Sequence, residues 1–259
     1  MLKKYNSREE LTDDEIDVVV RDYSSRVFSN KRDRHVQMQK ILPGNLGKNS
    51  KILDYGCGVG VVSQFFREKY NCIVDGVEIS EIELHKAKAT FEEDNKLRFI
   101  LSSEFKYPKN YYDLIFSSQV IEHVHNPGNY LSKINYMTKD GGYLLIGLPN
   151  IVNFDSVFSL IFYSQKRAIR RSKYILENYH KASDHINGWD PYHFITLLGT
   201  CGFELVQYLP TEGTPVFSVL SKIPFIGKHI ARLPFTTRLS YTMFFLVKKV
   251  KNIKIGNDD

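Results

Sequence analysis

Two hydrophobic periods alternate along the chain, and the switches between them mark out its elements. "KILDY" (51–55), "CIVDGVEIS" ending its apolar run at Glu78, "LRFIL", "YDLIFSS" and "GYLLIGL" are short, continuous apolar runs. Runs of that length, rich in Ile, Val, Leu and aromatic residues, read as strands buried on both faces. Helical spacing fills the gaps between them. Ser63, Phe65 and Phe66 follow the first run, Ser80-x-x-Glu83 is a capping box opening the next helix, and "NPGNYLSKINYMT" precedes the fifth run. This is the βαβαβ rhythm of a doubly wound parallel sheet. Further helical signals flank it. Thr12-x-x-Glu15 caps an amphipathic stretch carrying Ile16, Val19, Val20 and Tyr23, and Asp190-Pro191 opens a helix with Phe194, Leu197, Leu198 and Cys201 on one face and Gly202 at its stop. "FELVQYL" and "YTMFFLVKK" supply a sixth and a seventh strand, with a long loop containing "KIPFIGKHIARLPF" between them.

One domain accounts for all of this. The 259 residues can bury a single large core, with residues 1–45 as an N-terminal helical cap and two inserts, 151–188 and 212–240. The first insert is aromatic at its start and then basic in "SQKRAIRRSK". Neither a leader-like apolar region nor a run of about 18 apolar residues occurs, so a soluble, cytoplasmic protein is expected. Cys57, Cys72 and Cys201 lack C-x-x-C spacing, which points to reduced thiols rather than a disulfide framework or a zinc site.

Charge changes the picture at one end. The formal net charge is +6, yet eight Lys/Arg and no acid fall between Thr214 and Asn257, leaving the rest of the chain slightly negative. A solvated face explains such a stretch, and peripheral contact of 214–257 with an anionic membrane or a phosphorylated substrate is the sharper alternative.

The chemistry concentrates in "KILDYGCGVG". Gly56, Gly58 and Gly60 give G-x-G-x-G, with Val61 where a dinucleotide fingerprint has its third glycine, and no G-x-x-x-x-G-K-[ST] phosphate cradle is present. An acid at the end of the second strand, with no pyrophosphate to hold, suits a ligand with a ribose diol such as S-adenosylmethionine.

In order and spacing, "ILDYGCGVG", "VDGVEIS", "YDLIFSSQVIEHVHNP" and "KDGGYLLIGLPN" resemble the successive motifs of the class I S-adenosylmethionine-dependent methyltransferases. "DHINGWDPYHFITLLGTCGFELV" is similar to the closing helix and sixth strand of the branch with ubiquinone-type and sugar or antibiotic O-methyltransferases. The resemblance implies a Rossmann-like α/β fold, a seven-stranded, mainly parallel sheet of order 3-2-1-4-5-7-6 with the last strand antiparallel. It implies that Gly56, Cys57, Gly58 and Gly60 let backbone approach the cofactor, that Asp54 braces the turn, and that Glu78 accepts the ribose hydroxyls. Ile79 would stack on adenine, Ser103 or Glu104 would receive its amino group, and Ser118 and Gln119 would face the methionine part or the acceptor. Arg34 would pair with the cofactor carboxylate.

Methyl transfer to a hydroxyl needs a base, and His123 and His185 are the candidates at the sheet's carboxyl edge. An E-x-x-E-H pattern that ubiquinone-type relatives associate with a divalent ion reads Gln119-Val-Ile-Glu122-His123 here, so no metal is expected. "SSQVIEH" stands where enzymes methylating exocyclic amines of bases carry Asn/Asp-Pro-Pro-aromatic, so nucleic acid is not the expected partner. The expectation is an O-methyltransferase acting on a small molecule or a glycan or lipid-linked sugar. N-methylation of an amino sugar or small amine is the alternative, and a non-catalytic, cofactor-binding partner subunit is a third. Phe154, Phe158, Phe162, Tyr163, Tyr174 and Trp189 would make an aromatic lid, or fill core. The oligomeric state is not legible.

Overall fold

The computed structural model describes residues 38–178, 185–211 and 240–253, apart from the side chains of Phe154, Asp155, Phe158 and Asn178. Arg34, the Thr12 capping box, most of the 1–45 cap and all of the 212–240 insert but Ser240 lie outside the described residues.

Among the described residues, seven strands form one sheet: β1 (Lys51–Tyr55), β2 (Ile73–Glu78), β3 (Leu97–Leu101), β4 (Tyr112–Ser118), β5 (Thr138–Pro149), β6 (Phe203–Thr211) and β7 (Thr242–Lys249). Their spatial order is β3-β2-β1-β4-β5-β7-β6. The pairs among β1 to β5 are parallel, and β7 runs antiparallel to both neighbours. The expected topology is therefore the observed one.

Period-two alternation divides these strands between two cores. Ile52, Leu114, Leu145 and Phe244 bury one face against Val62 and Phe66 of α1 (Val61–Tyr70) and Leu84 and Ala87 of α2 (Glu81–Thr90). Leu53, Ile115, Ile146 and Phe245 bury the other. Leu131 and Ile134 of α3 (Pro127–Met137) and, further along the chain, Phe194 and Leu198 of Pro191–Thr200 cover that second face. Both faces of the central strands are dry, which is why they read as unbroken apolar runs.

The helix starts follow from local chemistry. Ser80 Oγ accepts the Glu83 N–H at 3.3 Å, and Asn126 Oδ1 accepts the Asn129 N–H at 3.0 Å ahead of Pro127. Two differences from the sequence reading have physical causes. The fifth strand begins at Thr138, before the apolar run, because Thr138 pairs with Tyr112 and a register shift between Tyr112 and Leu114 absorbs the Lys139–Gly142 stretch. The insert 151–188 holds two helices, α4 (Phe154–Ile161) and α5 (Gln165–Asn178). The sequence reading marked this insert by composition alone and assigned it no element, although its apolar positions recur at helical spacing.

The last helix, α6 (Pro191–Thr200), starts where Asp190 and Pro191 indicate. The Asp190 carboxylate accepts the N–H groups of Tyr192 and His193 at 2.9 and 3.1 Å. The basic stretch near the end of the chain is not uniformly exposed. Lys249 is buried, and its ammonium donates to Asn110 Oδ1, Asn135 O and Thr138 O at 2.7–2.8 Å, fastening β7 to the end of α3.

Asp190→Ala removes the one oxygen, Oδ1, that accepts both cap N–H groups. The loss should destabilise the protein by about 1–2 kcal/mol, readable as a lower denaturant midpoint with an unchanged slope.

Candidate functional site

The strand order reverses between β1 and β4, so the chain leaves their carboxyl ends in opposite directions and opens a crevice there. The glycine turn forms one wall. Gly56, Gly58 and Gly60 all have positive φ, at 88°, 53° and 79°. A Cβ at Gly56 would lie 2.3 Å from Val120 Cγ2, so only glycine lets this turn approach the loop after β4. Among the described residues a Cβ at Gly58 would meet nothing nearer than Glu83 Oε2 at 3.9 Å, so the bare backbone there has room beside it for a ligand.

Two buried carboxylates hold the turn in shape. Asp54 accepts from Ser63 Oγ at 2.7 Å, tying the end of β1 to α1. Glu78 accepts from the Gly58 N–H at 2.8 Å and from the Ile79 and Ser80 N–H groups at 2.9 and 3.1 Å. Burial raises the pKa of Asp54 to about 7, with Glu78 adding to the rise, and burial also raises Glu78. Glu78 therefore braces the turn as well as lying at the end of β2. A carboxylate has about four acceptor sites, and three N–H groups leave it room for a ligand hydroxyl.

The α1 N-terminus follows directly. Gly60 is its N-cap residue and provides no side-chain acceptor, so the first-turn N–H groups are not satisfied by a cap. Such a terminus suits an anionic group. On the facing wall, Gln119 has φ 60°, a strained value for a non-glycine residue, while its N–H donates to Gly147 O at 2.8 Å. Its side-chain Nε2 is buried without a hydrogen-bond partner. An unspent donor and an open backbone cradle are what a bound cofactor would complete, so the residues present fit the group the glycine pattern implies.

Other expected contacts fall unevenly. Ile79 is half-buried beside Glu78, and Ser118 is half-buried at the end of β4. Cys57 turns its side chain into the core, where burial pushes its thiol pKa well up, so only its backbone is available to a ligand. Ser103 and Glu104 lie exposed on a 3₁₀ turn (Ser102–Glu104) at the carboxyl end of β3.

The two histidines meet. His123 is buried on the 3₁₀ turn Ile121–His123, and its ring centroid is 5.1 Å from that of the exposed His185. Backbone contacts make the meeting possible: the Glu122 carbonyl accepts the N–H groups of Ile186 and Asn187, both at 3.0 Å, and Asn187 Nδ2 donates to the Val124 carbonyl. Asn150 and Trp189 form a further bridge. The 185–189 strap thus lies across the loop after β4. Glu122, His123 and His185 each place one donor atom within 4.8 Å of the others. The expectation of no metal counted two ligands, and the fold brings a third. Two imidazoles and one carboxylate suit zinc or another transition ion better than Mg²⁺. Among the aromatic lid candidates, Trp189 packs on Phe194 at 5.7 Å and joins the core, whereas Phe162, Tyr163 and Tyr174 are exposed.

An α/β sheet of this order, with a glycine turn and an acid at the carboxyl ends of β1 and β2, is the Rossmann-like class of fold with a crevice suited to a nucleoside. The chain belongs to the methyltransferase domain family, whose model matches residues 29–208. It is 35% identical over 115 residues to a phosphoethanolamine N-methyltransferase of Plasmodium falciparum, spanning 42% of each chain. A mitochondrial ubiquinone biosynthesis O-methyltransferase of Candida albicans is 27% identical over 198 residues, 73% of this chain and 60% of that one. The chain thus covers less than two thirds of either relative's length. In fold it matches a Haemonchus contortus phosphoethanolamine N-methyltransferase solved with S-adenosyl-L-methionine, at a TM-score of 0.58 and 17% identity over 84% of this chain and 52% of that one.

The carboxylates around the turn set two expectations. Glu78→Ala should weaken S-adenosylmethionine binding by about 1.5–3 kcal/mol in calorimetry, and lower thermal stability too, because three N–H groups lose their acceptor. For Asp54 the folded pKa of about 7 lies well above the ordinary aspartate value of 3.8 because the carboxyl is buried. Its contribution to stability is therefore fully present below the unfolded pKa and is lost as pH rises through the folded one. Denaturant melts of the cofactor-free protein from pH 4 to 8 should show that decline, and Asp54→Asn should flatten it.

Proposed function

We propose that the protein methylates a hydroxyl group on a small molecule or a glycan or lipid-linked sugar, with His123 as the base. The observation that carries this reading is the placement of buried His123 beside His185 and Glu122 at the carboxyl edge of β4. A base held by neighbouring polar groups in a partly dry site is the arrangement general-base catalysis requires.

Bound S-adenosylmethionine supplies a methyl group already activated on a sulfonium. The chain's own tasks are then to bind, orient and deprotonate. In this reading, backbone at Gly56, Gly58 and Gly60 and the α1 N-terminus hold the cofactor, Glu78 receives the ribose, and Gln119 offers its free amide donor. Ile79 flanks the adenine, with Ser103 or Glu104 reaching its amino group. Asp54, Glu78 and Glu83 surround the turn with acidic groups, which favours a cationic ligand. Positioning the acceptor in line with the methyl group contributes roughly 7 kcal/mol or more. His123 takes the hydroxyl proton, and His185 supports its ring.

A second reading has one specific support, the likeness to a phosphoethanolamine N-methyltransferase. A neutral amine attacks with its own lone pair and sheds its proton afterwards, so it depends less on His123.

His123→Asn separates the two. On catechol or sugar hydroxyls, kcat should fall by roughly 10²–10⁴ with cofactor affinity in calorimetry nearly unchanged. Full turnover of the variant on phosphoethanolamine or an amino sugar would transfer the assignment to the amine.

A further inference from the structure

A surface helix ordinarily turns one stripe toward the core, and α5 does not. Of its residues from Gln165 to Glu177, only Ala168 and Ile175 are even half-buried. With 3.6 residues per turn, Ala168, Ile169, Ser172, Ile175 and Leu176 share one stripe. Ile169 and Leu176 on that stripe are 51% and 66% exposed. The rest of the helix carries Lys166, Arg167, Arg170, Arg171 and Lys173, all exposed, against the single acid Glu177.

Immediately before it, the end of α4 and the two residues after it are four consecutive apolar residues facing outward. Leu160, Ile161, Phe162 and Tyr163 are 65%, 71%, 57% and 49% exposed. Scattered exposed apolar residues are ordinary, but a run at a helix corner joined to an unburied amphipathic helix is an interaction surface. Its charge selects the partner. Cations flanking an apolar stripe match an anionic leaflet, whose headgroups meet Lys and Arg while the stripe enters the acyl boundary. A nucleic acid would satisfy the cations and leave the apolar run in water. None of the described helices is long and apolar enough to cross a membrane, so contact of this kind lies along the surface.

We infer that the α4–α5 segment docks the protein on an anionic lipid surface. The segment leaves the carboxyl end of β5 through Asn150, the residue bridged to Trp189 of the strap, so docking places the bilayer on the acceptor side of the crevice. The inference is independent of which atom is methylated. It also differs from docking through 214–257, in which Lys249 is internal.

Sedimentation of the full chain with phosphatidylcholine vesicles, with and without phosphatidylglycerol, tests it. Each basic side chain near an anionic leaflet is worth about five-fold in partitioning. Wild type should pellet with the anionic vesicles alone, and Arg167→Glu/Arg170→Glu/Arg171→Glu should bind them about 100-fold or more weakly, with unchanged circular dichroism and unchanged S-adenosylmethionine affinity. Leu160→Ser/Ile161→Ser should keep low-salt binding but lose what persists at physiological salt, since exposed charges are screened over about 8 Å there. Lys222→Glu/Lys228→Glu/Arg232→Glu, in the other basic stretch, should retain binding. No binding of wild type at low salt, wild-type binding by the Arg triple variant, or loss confined to the Lys222 triple variant would each overturn the inference. So would α5-dependent binding of an RNA oligonucleotide in the absence of vesicle binding.

Discussion

The site depends on one close approach, that of the glycine turn to the loop after β4. At Gly56 the space left for a side chain is smaller than any side chain, because Val120 already fills it. That contact sets the width of the crevice between the reversing strands. It also obliges the turn to follow three successive left-handed glycines, whose N–H groups need acceptors within reach. Val77 O takes two of the turn's N–H groups, from Gly56 and Cys57, and the Glu78 carboxylate takes that of Gly58. The bracing is expensive, since two carboxylates are buried close together and both have raised pKa values. The crevice is an arrangement of unfavourable charges held by packing behind it, a common condition of binding sites.

Much of this was readable from residue order alone. Strands buried on both faces leave unbroken apolar runs, so β1 to β4 were legible to within a residue or two, and Ser80 and Asp190 announced their helices by cap chemistry. The turn and its acid were legible because their spacing is local. What escaped was what depends on distant partners. The meeting of His123 with His185 rests on hydrogen bonds from Ile186 and Asn187 to a carbonyl more than sixty positions earlier, and backbone carbonyls leave no signature in a sequence. The same blindness reduced the ligand count around Glu122 to two. The α4 and α5 helices went unassigned for a different reason: both are largely exposed, so their apolar positions do not contrast with a polar solvent face as those of a core helix do.

The bracing of the turn and the strap beside it divide the labour of the site. The cofactor side is built from β1, β2 and α1, elements adjacent in sequence and locked by short hydrogen bonds. In the proposed reading the acceptor side is assembled from the loop after β4, the strap and the segment after β5, which are joined by backbone hydrogen bonds, the Asn187 amide and the His123–His185 contact. A rigid half for an invariant ligand and a lightly fastened half for a variable one is how a shared scaffold accommodates many acceptors.

The position of β7 has a consequence for synthesis. It lies between β5 and β6, although both precede it in the chain. Until Thr242–Lys249 has left the ribosome, β6 has no neighbour to pair with, and β5 presents an apolar edge whose N–H and C=O groups are open to any extended segment nearby. The β1–β4 part of the sheet can close co-translationally, whereas β5 and β6 must wait for β7. During that interval the nascent chain carries an adhesive edge, and the buried ammonium of Lys249 is the fastening that ends it.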